Sequence, residues 1–177
     1  MVSTQSLKAR AERIRLILLD VDGVLTDGTV ILHADGSESK EFHIRDGAAI
    51  VWAIQAGIPV GLISARTSVA TSQRAAQLGI RIVSQGIGSK AAEFARIIAD
   101  QGLEEADVAY MGDDLLDLGV LKRAGLAAAP ADAAPEVRAA AHWTSTVGGG
   151  RGAVREFIEV ILVAQGLWDG IVKGFSA

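Results

Sequence analysis

The run Leu16-Ile17-Leu18-Leu19 has no polar relief and ends in Asp20-Val21-Asp22-Gly23. Successive apolar residues stopped by acids predict a strand buried on both faces, as in the interior of a parallel sheet. Alternation along a strand sends Asp20 and Asp22 to the same side, about 6.6–6.8 Å apart. Two acids at the end of a buried strand repel each other unless something positive sits between them. The pair therefore predicts a divalent-cation site.

Apolar runs and helix-like stretches alternate along the rest of the chain. They predict strands near 15–20, 59–63, 80–83, 107–111 and 126–129, and helices near 47–56, 68–78, 89–101, 115–123 and 152–165. That order implies βαβ units in a Rossmann-like three-layer α/β fold with a mostly parallel sheet. Between the first strand and the first helix, Thr29–His33 and Glu41–Ile44 flank Asp35-Gly36, a hairpin turn signal. A projecting β-hairpin is expected there, with no room for a large cap domain. The whole of 1–177 is expected to be one domain, with a lead over 1–13 and a mobile tail over 168–177.

Composition narrows the chemistry. The absence of cysteine excludes disulfides, thiolate catalysis and cysteine-ligated zinc, and fits a reducing compartment. A net charge of −4 with no basic stripe argues against nucleic acid as a partner. No apolar stretch approaches the roughly 20 residues of a membrane span, and the first residues lack the apolar segment of a secretory signal.

Three further signals follow the aspartate pair. Ser64 and Arg66 stand just after the second core strand, Lys90 opens a helix after Gly88-Ser89, and Met111-Gly112-Asp113-Asp114-Leu115-Leu116-Asp117 puts acids at another strand end. Ligands of open parallel sheets bind outside the carboxyl ends of the strands, so all four gather at one edge. The set fits hydrolysis of a phosphate monoester through an aspartyl-phosphate. Asp20 is the expected nucleophile, Asp22 the proton donor and then acceptor, and Ser64 and Lys90 the holders of the phosphoryl oxygens. Magnesium suits a site with Asp20, Asp113 and the backbone carbonyl of Asp22 as ligands, while Asp114 and Asp117 orient its waters and Lys90. Asp22 needs to carry a proton, which a crowd of neighbouring carboxylates favours.

These motifs, in this order, resemble the haloacid dehalogenase superfamily of aspartate-nucleophile phosphatases. Residues 13–166 are similar to one family within it, the 3-deoxy-D-manno-octulosonate 8-phosphate (KDO 8-phosphate) phosphatases. The match is carried by Leu19–Gly28, Phe42–Gly47, Ala109–Asp114 and Gly149–Glu156. The resemblance implies a capless magnesium phosphatase of lipopolysaccharide synthesis in the cytoplasm. It also implies a homotetramer in which the hairpin of one subunit partly covers its neighbour's site. His43, Ile44, Arg45, Asp46 and Gly47, with Arg66 and Arg74, are then expected to contact the sugar acid. Arginines suit an anionic sugar independently.

Val51 and Ala65 depart from that family, which often has a basic residue at the first position and glycine at the second. Both changes bear on the sugar rather than the phosphoryl group. They keep an acylneuraminate or deaminoneuraminate 9-phosphate open as substrate. A module without turnover is the reading from another class, and the presence of both Asp20 and Asp22 argues against it. Other motifs fail. Leu25 and Ile31 stand where a calcium loop starting at Asp20 needs glycine and glutamate. Gly148–Gly152 lacks the ending of a P-loop, and is expected either to be a flexible lead into the last helix or to line the site through Arg151. His33 and His142 are expected to be structural.

Overall fold

The computed structural model describes residues 4–175. In chain order its strands are β1 (Leu16–Leu19), β2 (Ile31–Leu32), β3 (Glu38–Ser39), β4 (Val60–Ile63), β5 (Ile82–Ser84), β6 (Val108–Met111), β7 (Leu126–Ala129) and β8 (Trp143–Thr144). Its helices are α1 (Thr4–Arg13), α2 (Ile44–Gln55), α3 (Val69–Leu78), α4 (Lys90–Gln101), α5 (Leu118–Leu121), α6 (Pro135–Ala140), α7 (Ala153–Ala164) and α8 (Trp168–Gly174). Six strands form one parallel sheet in the order β5-β4-β1-β6-β7-β8. β2 and β3 pair separately as the antiparallel hairpin. Its turn is closed by Ser37 N–H donating to Asp35 Oδ1, with Gly36 at φ +84°.

The apolar run is buried on both faces because alternate residues serve two cores. Ile17 and Leu19 join Ala109 and Met111 under α1, α2 and α7, while Leu16 and Leu18 join Val108 and Tyr110 under α4, α5 and α6. In α7, Val154, Phe157, Ile158, Ile161 and Leu162 form one buried stripe at helical spacing. Each large side chain so buried contributes about 1.5–3 kcal/mol. α4 begins where the Ser89 side chain accepts from Ala92 N–H and ends at left-handed Gly102, and it buries Phe94, Ile97 and Ile98.

The core strands fall within two residues of expectation; the differences lie at the periphery. The expected helix over 115–123 is a short 3-10 turn, Leu115–Asp117, followed by α5. The expected N-terminal lead is helix α1 over its described residues, and residues 1–3 lie outside them. Ala11 is buried, and Arg10 Nη1 donates to Gly125 O at 2.6 Å. Over the segment expected to be a mobile tail, α8 docks on α2, with Trp168 5.8 Å from Trp52 between ring centroids. The Arg155 guanidinium lies over both rings, 4.3 Å from Trp52 and 5.2 Å from Trp168. Residues 176–177 of that tail lie outside the described residues. Among the described residues no helix is long and apolar enough to cross a membrane.

Candidate active site

β1 lies between β4 and β6, so the loops leaving these three strands meet at the carboxyl edge. There, with the start of α4, they enclose a cavity of about 290 Å³ lined by Asp20, Asp22, Ser64, Arg66, Lys90 and Asp113. Asp114 and Asp117 also line it. The expected gathering of four motifs is what the fold produces.

Asp20 follows the last residue of β1, and its N–H donates to Met111 O at 3.0 Å. Lys90, the buried first residue of α4, reaches Asp20 Oδ1 at 2.9 Å and Asp117 Oδ1 at 2.7 Å. Burial, then the charge of Asp117, pushes the Asp20 carboxyl up to about 6 against the pull of Lys90. Asp113 is pushed up to about 8 by burial and by the charges of Asp20 and Asp117. Although burial works to lower it, the Lys90 ammonium is held above its usual range by those two acids. Three carboxylates around one ammonium leave net negative charge in a poorly solvated place.

Glycines let the acids approach. A Cβ on Gly23, which has φ +90°, would stand 2.0 Å from Asp113 Oδ2. A Cβ on Gly112 would stand 2.4 Å from Asp117 Cγ.

Asp22 departs from the strand-alternation argument. β1 ends at Leu19, and Asp22 sits in the turn that follows. It shares the cavity with Asp20, but its neighbours are cations rather than a crowd of carboxylates. Lys40 Nζ donates to Asp22 Oδ1, and Arg66 Nε lies 3.8 Å from Oδ2. Ser64 is buried after β4, with its Oγ accepting from Arg66 N–H at 3.2 Å. Asp114 caps the 3-10 turn by accepting from Leu115 N–H at 2.8 Å.

The segment expected to meet the sugar lies elsewhere in this chain. His43, Ile44, Arg45, Asp46, Gly47 and Arg74 do not line the Asp20 cavity. His43, Gly47 and Arg74 line a separate recess with Leu25 and Phe42. Gly47 makes room for Arg74, whose Nη2 would lie 2.3 Å from a Cβ there. Ile44 and Arg45 are exposed on the first turn of α2. Asp46 is buried and caps α7, accepting from Arg155 N–H at 2.7 Å and Gly152 N–H at 3.2 Å. The glycine-rich segment before α7 is a brace: Gly150 N–H donates to Val24 O at 2.9 Å, and a Cβ on Gly149 would stand 1.8 Å from Gly23 O. Arg151 pairs with Asp27 at 3.3 Å and does not line the cavity.

Two residues were not foreseen. Tyr110 is wholly buried in β6 and donates to Asp117 Oδ1 at 2.5 Å. A lone tyrosine in an apolar strand one turn from acids needs such a partner, and that was its signal. Lys40 had no sequence signal, because the hairpin is legible but the meeting of its root with Asp22 is a tertiary contact.

Oxygens of Asp20, Asp113 and Asp117 lie within 4.8 Å of one another, a spacing that fits a metal ion. Asp113 Oδ1 is buried with no hydrogen-bond partner, as a ligand atom would be. Asp117 is already saturated: Oδ1 accepts from Lys90 and Tyr110, and Oδ2 from the Asp113 and Asp114 N–H groups. Asp20 and Asp113 are therefore the carboxylates free to hold a cation, with Asp117 fixing the lysine behind them.

Residues 80–158 match the haloacid dehalogenase-like hydrolase family. The chain is 42% identical over 161 residues to 3-deoxy-D-manno-octulosonate 8-phosphate phosphatase KdsC of Escherichia coli K12, covering 91% of this chain and 86% of that protein. A solved structure of the Moraxella catarrhalis phosphatase of that name, in complex with a magnesium ion, a phosphate ion and a KDO molecule, superposes with TM-score 0.96 at 35% identity, covering 98% of this chain and 99% of that one. The cobalt-bound Haemophilus influenzae phosphatase gives TM-score 0.86 at 38% identity, covering 89% and 92%. Fold, acid cluster and identity along nearly the whole length agree, and the chain belongs to the KDO 8-phosphate phosphatase family of haloacid dehalogenase-like hydrolases.

Proposed function

We propose that this protein hydrolyses KDO 8-phosphate to KDO and phosphate, with the phosphoryl group carried transiently on Asp20. The observation that carries this reading is Lys90 bridging Asp20 and Asp117 beside the unpartnered Asp113 oxygen. Asp20 attacks phosphorus with a carboxylate oxygen that has no proton to lose. An anion meeting a phosphate is repelled by about 4 kcal/mol per charge pair at 4 Å and an effective dielectric near 20. A magnesium ion, held by Asp20, Asp113 and the Asp22 backbone carbonyl, supplies the positive charge that offsets this repulsion. Lys90 and Ser64 hold the equatorial phosphoryl oxygens as charge redistributes. Asp22 gives a proton to the departing sugar oxygen, then takes one from the water that attacks the phosphoryl group.

The sugar is the part that one chain does not complete. Arg66 lines the cavity, whereas Arg74 and the His43–Gly47 segment lie off it. In our reading a homotetramer brings the sugar contacts together, and the hairpin, whose Ile31 and Leu32 are exposed, is the assembly element. The reaction then belongs to lipopolysaccharide synthesis in the cytoplasm, on a single-domain chain. Phosphate release from KDO 8-phosphate should require magnesium, stop on chelation and resume when magnesium is restored. It should also exceed release from acylneuraminate and deaminoneuraminate 9-phosphates. A faster reaction with either of those two esters would reassign the substrate, and indifference to the chelator would remove the metal.

A further inference from the structure

Lys40 follows β3 at the root of the hairpin, and its side chain is only 1% exposed. A buried ammonium needs a reason, since desolvation costs more than a surface position would. Its partner is Asp22 Oδ1. The other Asp22 oxygen faces Arg66 Nε at 3.8 Å, and Arg66 Nη2 donates in turn to Glu38 Oε2 of β3 at 2.9 Å. The hairpin root thus grips the Asp22 carboxyl directly through Lys40 and, through Glu38, steadies the arginine on its far side.

We propose that Lys40 is a positioning residue for Asp22, holding its carboxyl in the orientation from which it serves the departing sugar oxygen. The inference rests on the acid role given to Asp22 in the proposed function. In that step a bond forms from an Asp20 oxygen to phosphorus, the bond from phosphorus to the sugar oxygen breaks, and a proton moves from Asp22 to that oxygen, leaving an Asp22 carboxylate that the Lys40 ammonium and Arg66 stabilise. An alkoxide leaves poorly without that proton. A p-nitrophenolate leaves without one. Misaiming Asp22 should therefore harm an alkyl ester far more than p-nitrophenyl phosphate, whereas a general loss of fold or of phosphate binding harms both alike.

The test compares kcat/KM, which reports steps up to phosphoryl transfer, for KDO 8-phosphate and p-nitrophenyl phosphate with magnesium present. Lys40→Met is expected to lose about 100-fold on the sugar ester, within the range of general acid catalysis, and no more than about 5-fold on the aryl ester. Asp22→Asn should show the same bias. The double variant should be no worse than Asp22→Asn alone, because both changes remove one function. Lys40→Arg should recover part of the sugar-ester rate. Equal losses on both esters for Lys40→Met, or a double variant carrying the product of the single losses, would overturn the inference. If Asp22→Asn itself shows no leaving-group bias, the acid assignment falls and the inference falls with it. Circular dichroism checks each fold, and Lys40→Gln takes the same measurement should the methionine variant not fold.

Discussion

Two buried aspartates stand in contrast, Asp20 in the acid cluster and Asp46 beneath α7. Burial pushes both carboxyls up. Around Asp46 the push is opposed by N–H groups of Arg155 and Gly152 at a helix start, so the charge has donors and a favourable dipole. Around Asp20 burial is made worse by a second acid, and the one ammonium present is shared with Asp117. One aspartate is buried with its needs met. The other is buried with a deficit of positive charge at the edge of a cavity. Burial alone does not separate a structural acid from a functional one; the balance of partners does.

The largest effect is expected at the nucleophile. Asp20→Asn should cut turnover at least about 10⁴-fold, as loss of a covalent nucleophile does, with the fold retained by circular dichroism. Retained turnover would refute Asp20. Lys90→Met should remove activity and, without magnesium, destabilise the protein by about 3–5 kcal/mol in urea unfolding, because Asp20 and Asp117 lose their cation. A neutral effect would mean that this lysine does not offset the repulsion between those acids. Asp46→Ala should sharpen the contrast, costing about 2 kcal/mol through the lost α7 cap and stranded N–H groups. Its kcat with p-nitrophenyl phosphate should stay within about 3-fold of the parent if Asp46 acts only through structure. Tyr110→Phe should be mildest, costing about 1–2 kcal/mol, because Asp117 keeps three other donors.

Legibility in the sequence follows the same division. The central strands were readable because each is a short apolar run between turn signals, and the Asp20 cluster because parallel sheets deliver their strand ends to one edge. α1 was not readable: its amphipathic face is little more than Leu7 and Ala11, and its place depends on Arg10 finding a carbonyl 115 residues away. β8 is two residues long, too short for periodicity. α8 is fixed by Arg155 and Trp52, neither of them near it in sequence. The surroundings of Asp22 were misjudged for a related reason. Adjacency to acids in sequence suggested acidic neighbours, but the turn swings it toward Lys40 and Arg66. Likewise nothing in the sequence around Arg45-Asp46-Gly47 shows that α7 rests on its aspartate.

Thermal unfolding against pH, with and without magnesium, tests the charge deficit most directly. In the folded chain Asp20 and Asp113 keep their protons up to about 6 and about 8. In the unfolded chain they release them near pH 4 (~3.9). Stability that is full below that point is therefore lost as pH rises through those two values. Magnesium should cancel the loss, so its upward shift of Tm should be larger at about pH 8.5 than at about pH 5.5, and Asp46→Ala should leave that difference intact. A magnesium-induced shift that is absent, or equal at both pH values, would contradict the account.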